Sequence, residues 1–450
     1  MSFFIVTLFA IALFVAVATT HNKLAKYFIL AIGLYWLAIA YISCTNPFEL
    51  YDVSITSYVY IVSGYIMILM GYLTYKPQRI KKYFKFSHLE HDLDLICENK
   101  LLMLIFVVSF GVMIYLASTQ WKLILFQSGM GNLKLDFFEL VFNNNHLLFF
   151  LYQSLISPIF YICCLLLCYM ILLQKWNRYL LFVGLYVLLF CFIGGKRGYF
   201  AIVFVYLLSV FIISRYTRFY TGVKKKLPLK GFALIGILAF LGATAMTAVS
   251  GGGTGAGKDE FKEASNDILA NTIVYRVGPY RAFDKFVQSD VIESSGGYLF
   301  GRATLGGAID YYGTSIMNWI GVSVKSARAT AMVPIQDNSV QIGRDGRGWN
   351  FAYTGFYYFY YDLGYIGILL FSFLFGLFIR FSISLFERFG TIGSMALVCY
   401  VFHACILMTG SWFNMQLYAQ PAILICLLIH NYEINKIRKY EVYKKGKNVI

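Results

Sequence analysis

Residues 2–20 read SFFIVTLFAIALFVAVATT, an apolar stretch that contains no charged side chain. An α-helix needs about 20 such residues to cross the hydrocarbon core of a bilayer. The remaining chain has the same character: 59% of its 450 residues are hydrophobic and 13% are charged, whereas a soluble domain carries about 25% charged residues. The composition excludes a soluble globular protein and predicts an all-α, polytopic integral membrane protein.

Eleven apolar stretches approach the length of a membrane span. They lie at residues 2–20, 27–44, 58–75, 101–118, 148–173, 179–194, 200–213, 231–249, 356–379, 393–410 and 417–430. We predict a bundle of eight transmembrane helices in 1–249, a large loop with amphipathic helices in 250–355, and three more helices with a basic tail in 356–450.

The cationic side chains are strongly segregated among the connections. Of the 38 Lys and Arg residues, 24 fall in alternate connections and in the tail, and the other 14 share the opposite side with 14 acidic residues. By the positive-inside rule the first side is cytoplasmic. We therefore expect an external N-terminus, a retained first helix rather than a cleaved signal peptide, an external 250–355 loop and a cytoplasmic C-terminus. The net charge of +16 then gives no reason to expect a nucleic-acid partner.

The 250–355 loop carries the pattern of an amphipathic helix. Asp259 to Val277 has apolar residues at helical spacing. Gly278 and Pro279 predict a stop, after which Tyr280 resumes the pattern. The glycine-rich sequence that follows favours a loop that binds a ligand, moves as a lid, or simply connects two spans.

Several cations on the external side suit an anionic ligand. Lys196 and Arg197 lie in the short turn Gly-Gly-Lys-Arg-Gly-Tyr at 194–199, and Arg276, Arg281 and Arg302 lie in the large loop. A guanidinium group binds phosphate through two parallel hydrogen bonds. Lipid headgroup pairing is the alternative for the turn, and solvated salt pairing is the alternative for the loop arginines. No His, Cys, Asp or Glu cluster has metal-ligand spacing, and we expect neither a metal nor another cofactor.

An aromatic run enters the ninth predicted span. Residues 353–367 read YTGFYYFYYDLGYIG. An interfacial aromatic belt explains most of these rings, although tyrosines such as Tyr361, and Tyr280 in the loop, could also stack on sugar rings. Asp362 is unusual, because a carboxylate inside a span is costly unless it faces a cavity or a cation.

The layout of the spans, the Gly-Gly-Lys-Arg-Gly turn at 194–198 and the sequence at 353–367 resemble the Wzy-type polymerases of bacterial O-antigen and capsule repeat units. The resemblance covers the whole chain in layout and two short stretches in residues. It implies a metal-independent glycosyltransferase with a GT-C-like fold in the bacterial inner membrane. The donor and acceptor would be oligosaccharides on undecaprenyl pyrophosphate, and membrane lipids and a chain-length regulator protein would be further partners.

Within this resemblance, cations would stabilise the leaving pyrophosphate and a carboxylate would deprotonate the acceptor hydroxyl. The substrate-binding candidates are Arg197, Lys196, Arg276, Arg281, Arg302, Tyr280 and Tyr361. The candidates for the base are Asp362, Asp310, Asp345 and Asp337, which the sequence does not rank. An O-antigen ligase and a lipid-linked oligosaccharide flippase are the alternatives. The 250–355 loop has no histidine, which such ligases usually carry there, and the chain lacks the two similar halves of a transporter.

Overall fold

The computed structural model describes residues 2–46, 50–76, 99–123, 141–142, 145–172, 178–193, 198–216, 258–314, 316–317, 320–336, 340–343, 348–349 and 353–447. The α-helices are α1 Ser2–Thr19, α2 Lys23–Thr45, α3 Ile55–Thr74, α4 Lys100–Leu123, α5 His146–Leu151, α6 Ser157–Leu172, α7 Arg178–Ile193, α8 Gly198–Tyr216, α9 Lys258–Val287, α10 Val291–Ser294, α11 Gly306–Ile309, α12 Ala327–Gln336, α13 Gly355–Phe389, α14 Ile392–Leu407 and α15 Ala419–Lys447. The predicted all-α class is confirmed for the described residues, apart from one very short β-ladder.

Six of the described helical stretches are long and apolar enough to cross a membrane. They are Ser2–Thr19, Lys23–Thr45, Ile55–Thr74, Lys100–Gln120, His146–Ile171 and Gly355–Phe389. Three shorter apolar helices, Tyr179–Ile193, Tyr199–Ser214 and Ile392–Leu407, coincide with further predicted spans. This is the architecture of a multi-pass membrane protein. The span predicted at 231–249 lies outside the described residues.

The described helices pack as two compact units. The first unit draws on residues 1–78, 268–383 and 401–420, and the second draws on 79–267, 384–400 and 421–450.

In the first unit, a polar and aromatic core joins helices that are distant in sequence. The indole Nε1 of Trp36 donates to the carbonyl of Cys405 at 2.9 Å, and the Tyr72 hydroxyl donates to the carbonyl of Ala25 at 2.7 Å. The ring of Tyr65 stacks on that of Trp36 with centroids 4.7 Å apart. These contacts join α2 to α3 and α2 to α14.

Glycines set the crossing of α3 and α13. A Cβ on Gly376 would lie 2.1 Å from the carbonyl oxygen of Ile68, and a Cβ on Gly71 would lie 2.0 Å from that of Phe373. Small residues let membrane helices approach backbone to backbone, where dispersion contacts replace the absent hydrophobic driving force. The two glycines therefore fix how closely these helices pack.

In the second unit, the stretch from α5 to α6 is continuous through a π-helical turn at Tyr152–Ile156. The Tyr186 hydroxyl on α7 donates to the carbonyl of Ile156 at 3.0 Å, and it also bonds Ser109 on α4 at 2.6 Å. The rings of Phe160 and Phe190 stack with centroids 4.1 Å apart. The π-turn thus presents a backbone carbonyl that a neighbouring helix satisfies.

The stretch from 258 to 353 is called the inter-span segment below. It begins with the helix that the sequence predicts, but this helix does not end at the predicted position. Helix α9 runs through Gly278 and Pro279 without a break. A Cβ on Gly278 would lie 2.9 Å from the ring of Trp349 and 3.0 Å from the side chain of Ile342. The glycine serves close packing here, and this packing outweighs the hydrogen bond that Pro279 cannot donate.

The rest of the inter-span segment contains short elements rather than the loop that its glycines suggest. A π-helical turn, Asp310–Thr314, follows α11. The strands β1 Val340–Gln341 and β2 Gly348–Trp349 pair antiparallel, and Gly343 forms an isolated bridge to Leu50. The segment is thereby attached to the connection between α2 and α3.

Helix α13 is kinked near its start. Gly364 has φ 62° and ψ −146°, a conformation that favours glycine. The kink interrupts the helical ladder around Tyr361 and Asp362, and their carbonyls accept instead from the amides of Leu299 and Phe300 at 3.0 and 3.2 Å. The inter-span segment therefore supplies the hydrogen bonds that the broken helix lacks.

We expect Gly376→Ala to lower the free energy of unfolding by about 1–3 kcal/mol, because the new methyl group meets a backbone carbonyl that cannot rotate away. Thermal unfolding of the purified protein in detergent measures this as a lower Tm. Gly111→Ala is the control, because its added Cβ would meet no described atom within 4 Å beyond the backbone of its own helix. This variant should match the wild type or exceed it by up to about 1 kcal/mol. Equal Tm values for the two variants would contradict the assigned helix crossing.

Candidate functional site

Arg281, a predicted pyrophosphate ligand, is buried and uses all five of its N–H donors within the chain. Its Nε donates to the carbonyl of Tyr51 at 3.0 Å. Nη1 donates to the Ser43 hydroxyl at 2.6 Å and the Val277 carbonyl at 3.1 Å. Nη2 donates to the Ser43 carbonyl at 2.8 Å and the Asn46 Oδ1 at 3.3 Å. Arg281 therefore has no N–H donor left with which to bind a pyrophosphate.

Arg281 and Asp284 instead join α9 to the ends of two spans. Arg281 lies at the C-terminal end of α2, where a helix leaves carbonyls unpaired and favours positive charge. Asp284 accepts from the amide of Ser54 at 3.1 Å and from its hydroxyl, at the N-terminus of α3. Burial lowers the pKa of the Arg281 guanidinium, which nonetheless stays charged at neutral pH. This i, i+3 pair is an anchor.

Asp362, a predicted base, is fully buried beside the kink of α13. Its Oδ1 accepts from the amide of Ala303 at 2.9 Å, and its Oδ2 accepts from the amide of Thr304 at 2.6 Å. The sequence predicts that this carboxylate faces a cavity or a cation, whereas the structure satisfies it with backbone N–H groups. Asp362 therefore holds the inter-span segment on α13.

Asp310, another candidate base, has the same kind of environment. Its carboxylate accepts from the hydroxyls of Thr314 and Ser326 at 2.9 and 2.5 Å. It also accepts from the amides of Ala327 and Arg328 at 2.7 and 3.0 Å. Those two amides belong to the first turn of α12, which lacks partners for them within the helix. Asp310 therefore caps α12 from outside.

The two tyrosines predicted to contact glycan belong to the core. Tyr280 is fully buried, and its hydroxyl bonds that of Tyr65 at 2.8 Å. Tyr361 is 1% exposed, and its ring packs edge-on against Phe286 at 5.4 Å. Neither ring offers a face on which a sugar could stack.

Four other candidates fall elsewhere. Lys196, Arg197, Asp337 and Asp345 lie outside the described residues. Arg302 is exposed, although the next two residues, Ala303 and Thr304, donate their amides to Asp362.

Arg276 differs from Arg281, although both lie on α9. It is half-buried, and its guanidinium donates no hydrogen bond to any described residue. Its Nη1 lies 3.9 Å from the position that a Cβ on Gly410 would occupy, and its charge interacts with His403. Arg276 thus presents an unpaired cation beside the connection between α14 and α15.

Arg328, which the sequence analysis does not single out, lies beside the same connection. Its guanidinium also makes no hydrogen bond within the described part of the chain. Burial lowers the pKa of Arg328, and the charges of Asp310, Tyr358 and Tyr418 act in the opposite direction. Its backbone packs against Gly306. Arg328 is a desolvated cation whose nearby carboxylate is already engaged by four donors.

The connection at 408–418 links the two arginines. A Cβ on Gly410 would lie 3.9 Å from Nη1 of Arg276, and a Cβ on Gly306 would lie 3.0 Å from Sδ of Met415 in this connection and 3.4 Å from Cγ of Arg328. The connection is itself fastened, because Trp412 Nε1 donates to the carbonyl of Thr304 at 2.7 Å. Arg276 and Arg328 therefore flank one short, well-fixed stretch of backbone.

Arg328 could have been found from the sequence by one signal. Ser326 is a suitable N-cap for the helix that follows, and Arg328 then falls in the first turn. That end of a helix disfavours a cation, because the unpaired amides already carry partial positive charge.

No cluster of three or more His, Cys, Asp or Glu side chains that could hold a metal occurs among the described residues. Comparisons of the chain with protein-family models, with curated proteins and with solved structures give no match. The geometry of the two arginines thus carries the functional argument.

We expect Asp362→Asn to destabilise the protein by about 1–3 kcal/mol, because the new amide nitrogen would face a buried N–H group as a second donor. Thermal unfolding measures the loss, with Asp290→Asn as the exposed control. A catalytic base would behave differently: the variant would keep its Tm and lose turnover. An unchanged Tm together with lost turnover would indicate that Asp362 is a catalytic base.

Proposed function

We propose that this protein is a membrane glycosyltransferase that polymerises oligosaccharide repeat units carried on undecaprenyl pyrophosphate. The proposed activity is the one that the resemblance of the sequence to Wzy-type polymerases implies. Its main structural support is the pair Arg276 and Arg328, two partly desolvated guanidinium groups without hydrogen-bond partners among the described residues. A partly buried guanidinium group without a hydrogen-bond partner is suited to binding an anionic ligand.

The chemistry of the ligand follows from the chemistry of the pair. A guanidinium is planar, permanently charged and suited to bidentate phosphate recognition. The guanidinium groups of Arg276 and Arg328 both lie beside the 408–418 connection, and two such groups suit a ligand with two phosphates. The departure of a lipid pyrophosphate from the anomeric carbon adds negative charge, which preorganised cations stabilise more than they stabilise the ground state. In this proposal the arginines provide electrostatic stabilisation of the leaving group.

The proposal leaves Asp310 and Asp362 out of proton transfer, because their oxygens accept hydrogen bonds that anchor backbone. Asp337 and Asp345 remain from the four candidate bases. Lys196 and Arg197 remain candidates for a second contact with a lipid carrier, at the membrane face that the sequence predicts as external. The location would be the bacterial inner membrane.

We expect Arg328→Gln and Arg276→Gln each to weaken binding of undecaprenyl pyrophosphate roughly 10- to 10²-fold. A charge-assisted hydrogen bond contributes about 1.5–3 kcal/mol, and each variant loses at least one such bond. Titration of the carrier lipid into nanodisc-embedded protein, followed by native mass spectrometry, measures the affinity. Lys325→Gln is the matched control, because Lys325 is an exposed cation three residues before Arg328. Affinities equal to those of the control would remove the pair from the site.

The glycan produced in a host that supplies the repeat units separates the alternatives. A polymerase gives a ladder of lengths that Arg328→Gln shortens or abolishes at matched expression. An O-antigen ligase would instead transfer preformed chains to a different acceptor without changing their length. A flippase would leave the repeats unpolymerised and change only the side of the membrane on which they are found.

We expect turnover to survive treatment with EDTA, since the proposed catalysis uses arginines where other glycosyltransferases use a divalent ion. The measurement compares ladder formation by purified protein before and after chelation. Loss of the ladder, followed by recovery when Mg²⁺ or Mn²⁺ is added back, would contradict the metal-independent mechanism.

A further inference from the structure

The part of the inter-span segment from 298 to 324 turns its apolar side chains outward. Leu305, Ile309, Tyr312, Ile316 and Ile320 are between 38% and 62% exposed. Their spacing of three or four residues is that of one helical face, and the backbone is helical from Gly306 to Thr314. Among the described residues of this stretch, these exposed apolar side chains form what is called the stripe below.

The opposite face of the same stretch is buried and polar. Asp310 and Thr314 lie inside, bonded to each other at 2.9 Å, and Gly306 and Gly307 are buried beside them. A water-exposed helix shows the reverse arrangement, with its apolar stripe facing the core. An inside-out polarity of this kind suits an apolar surrounding medium.

Charge is nearly absent from this surface. Between 298 and 324 the sequence contains two charged residues, Arg302 and Asp310, and Asp310 is buried. Phe300, 77% exposed, adds to the apolar surface. A soluble surface would carry many more charges over the same length.

The attachment of this stretch to α13 places it at the edge of the membrane. The Phe300 amide bonds the carbonyl of Asp362 at 3.2 Å, next to the kink at Gly364. Residues 365–389 are long enough, at about 1.5 Å per residue, to cross the roughly 30 Å hydrocarbon core without help. The kink therefore lies near one interface. The exposed apolar side chains of α13 begin just beyond it, at Tyr365 and Ile366.

We propose that the 298–324 stretch is embedded in the outer part of the bilayer, with the stripe from Leu305 to Ile320 in contact with lipid acyl chains. It continues the lipid-facing surface of α13 and forms an in-plane anchor for the inter-span segment. The occupant of the stripe is lipid, not a second protein. The inference is independent of the proposed glycan polymerisation, because it concerns a surface that neither arginine of the site shares.

Site-directed spin labelling of the full chain in phosphatidylcholine nanodiscs tests the anchor. Nitroxide labels are placed at Ile309→Cys and Ile316→Cys in a background of Cys44→Ser and Cys97→Ser. The background protein must take up no label, because the other described cysteines are buried. Lys325→Cys is the matched control, an exposed position just beyond the stripe. The readout is the ratio of collision with oxygen, which enters lipid, to collision with a water-soluble nickel chelate.

We expect a several-fold higher oxygen-to-nickel ratio at 309 and 316 than at 325. Equal ratios at the three positions would overturn the anchor and leave the stripe in water. Low collision with both reagents, with spectral broadening that disappears when labelled protein is diluted with unlabelled protein, would assign the stripe to a second copy. Thermal unfolding of each labelled protein, compared with the background, verifies that the label has not displaced the stretch.

Discussion

A membrane helix that ends or breaks inside the protein must have its unpaired backbone groups satisfied from within, because the hydrocarbon core offers no water. In this chain buried charged side chains of opposite sign perform that task at opposite helix ends. Arg281 serves the carbonyl end of α2 and Asp284 the amide end of α3. Asp362 and Asp310 hold amides of the inter-span segment and of α12. The path of the inter-span segment depends on these four residues.

The same constraint separates anchors from candidate functional groups. Arg276 and Arg281 are five residues apart on α9 and carry the same side chain. Arg281 is satisfied by five acceptors, whereas Arg276 and Arg328 meet none among the described residues. An arginine with every donor engaged can stabilise a fold but cannot receive a phosphate. The candidate ligand-binding arginines are therefore those whose guanidinium groups have no hydrogen-bond partner among the described residues.

Of the eleven predicted spans, six coincide with helices long and apolar enough to cross a membrane and three with shorter apolar helices, because hydropathy and length report directly on the medium around a helix. It also predicts the amphipathic start of α9. It predicts a stop at Gly278 that does not occur, since the contact with Trp349 that favours close packing there is tertiary. Likewise, the backbone that Arg281 and Asp284 meet lies more than 200 positions away, at Ser43 and Ser54, and the backbone that Asp362 meets lies 59 positions away at Ala303. No local pattern contains that information.

The proposed lipid-facing stripe is joined to the backbone of Arg328 through Asp310. This residue is the first of the π-helical turn that follows Ile309, and its carboxylate accepts from the backbone amide of Arg328 at 3.0 Å. A stripe embedded among acyl chains would fix the depth of Asp310, and with it the start of α12. Arg328 would then lie near the membrane interface. A guanidinium at that depth can reach the phosphates of a lipid carrier while the carrier's chain stays in the bilayer.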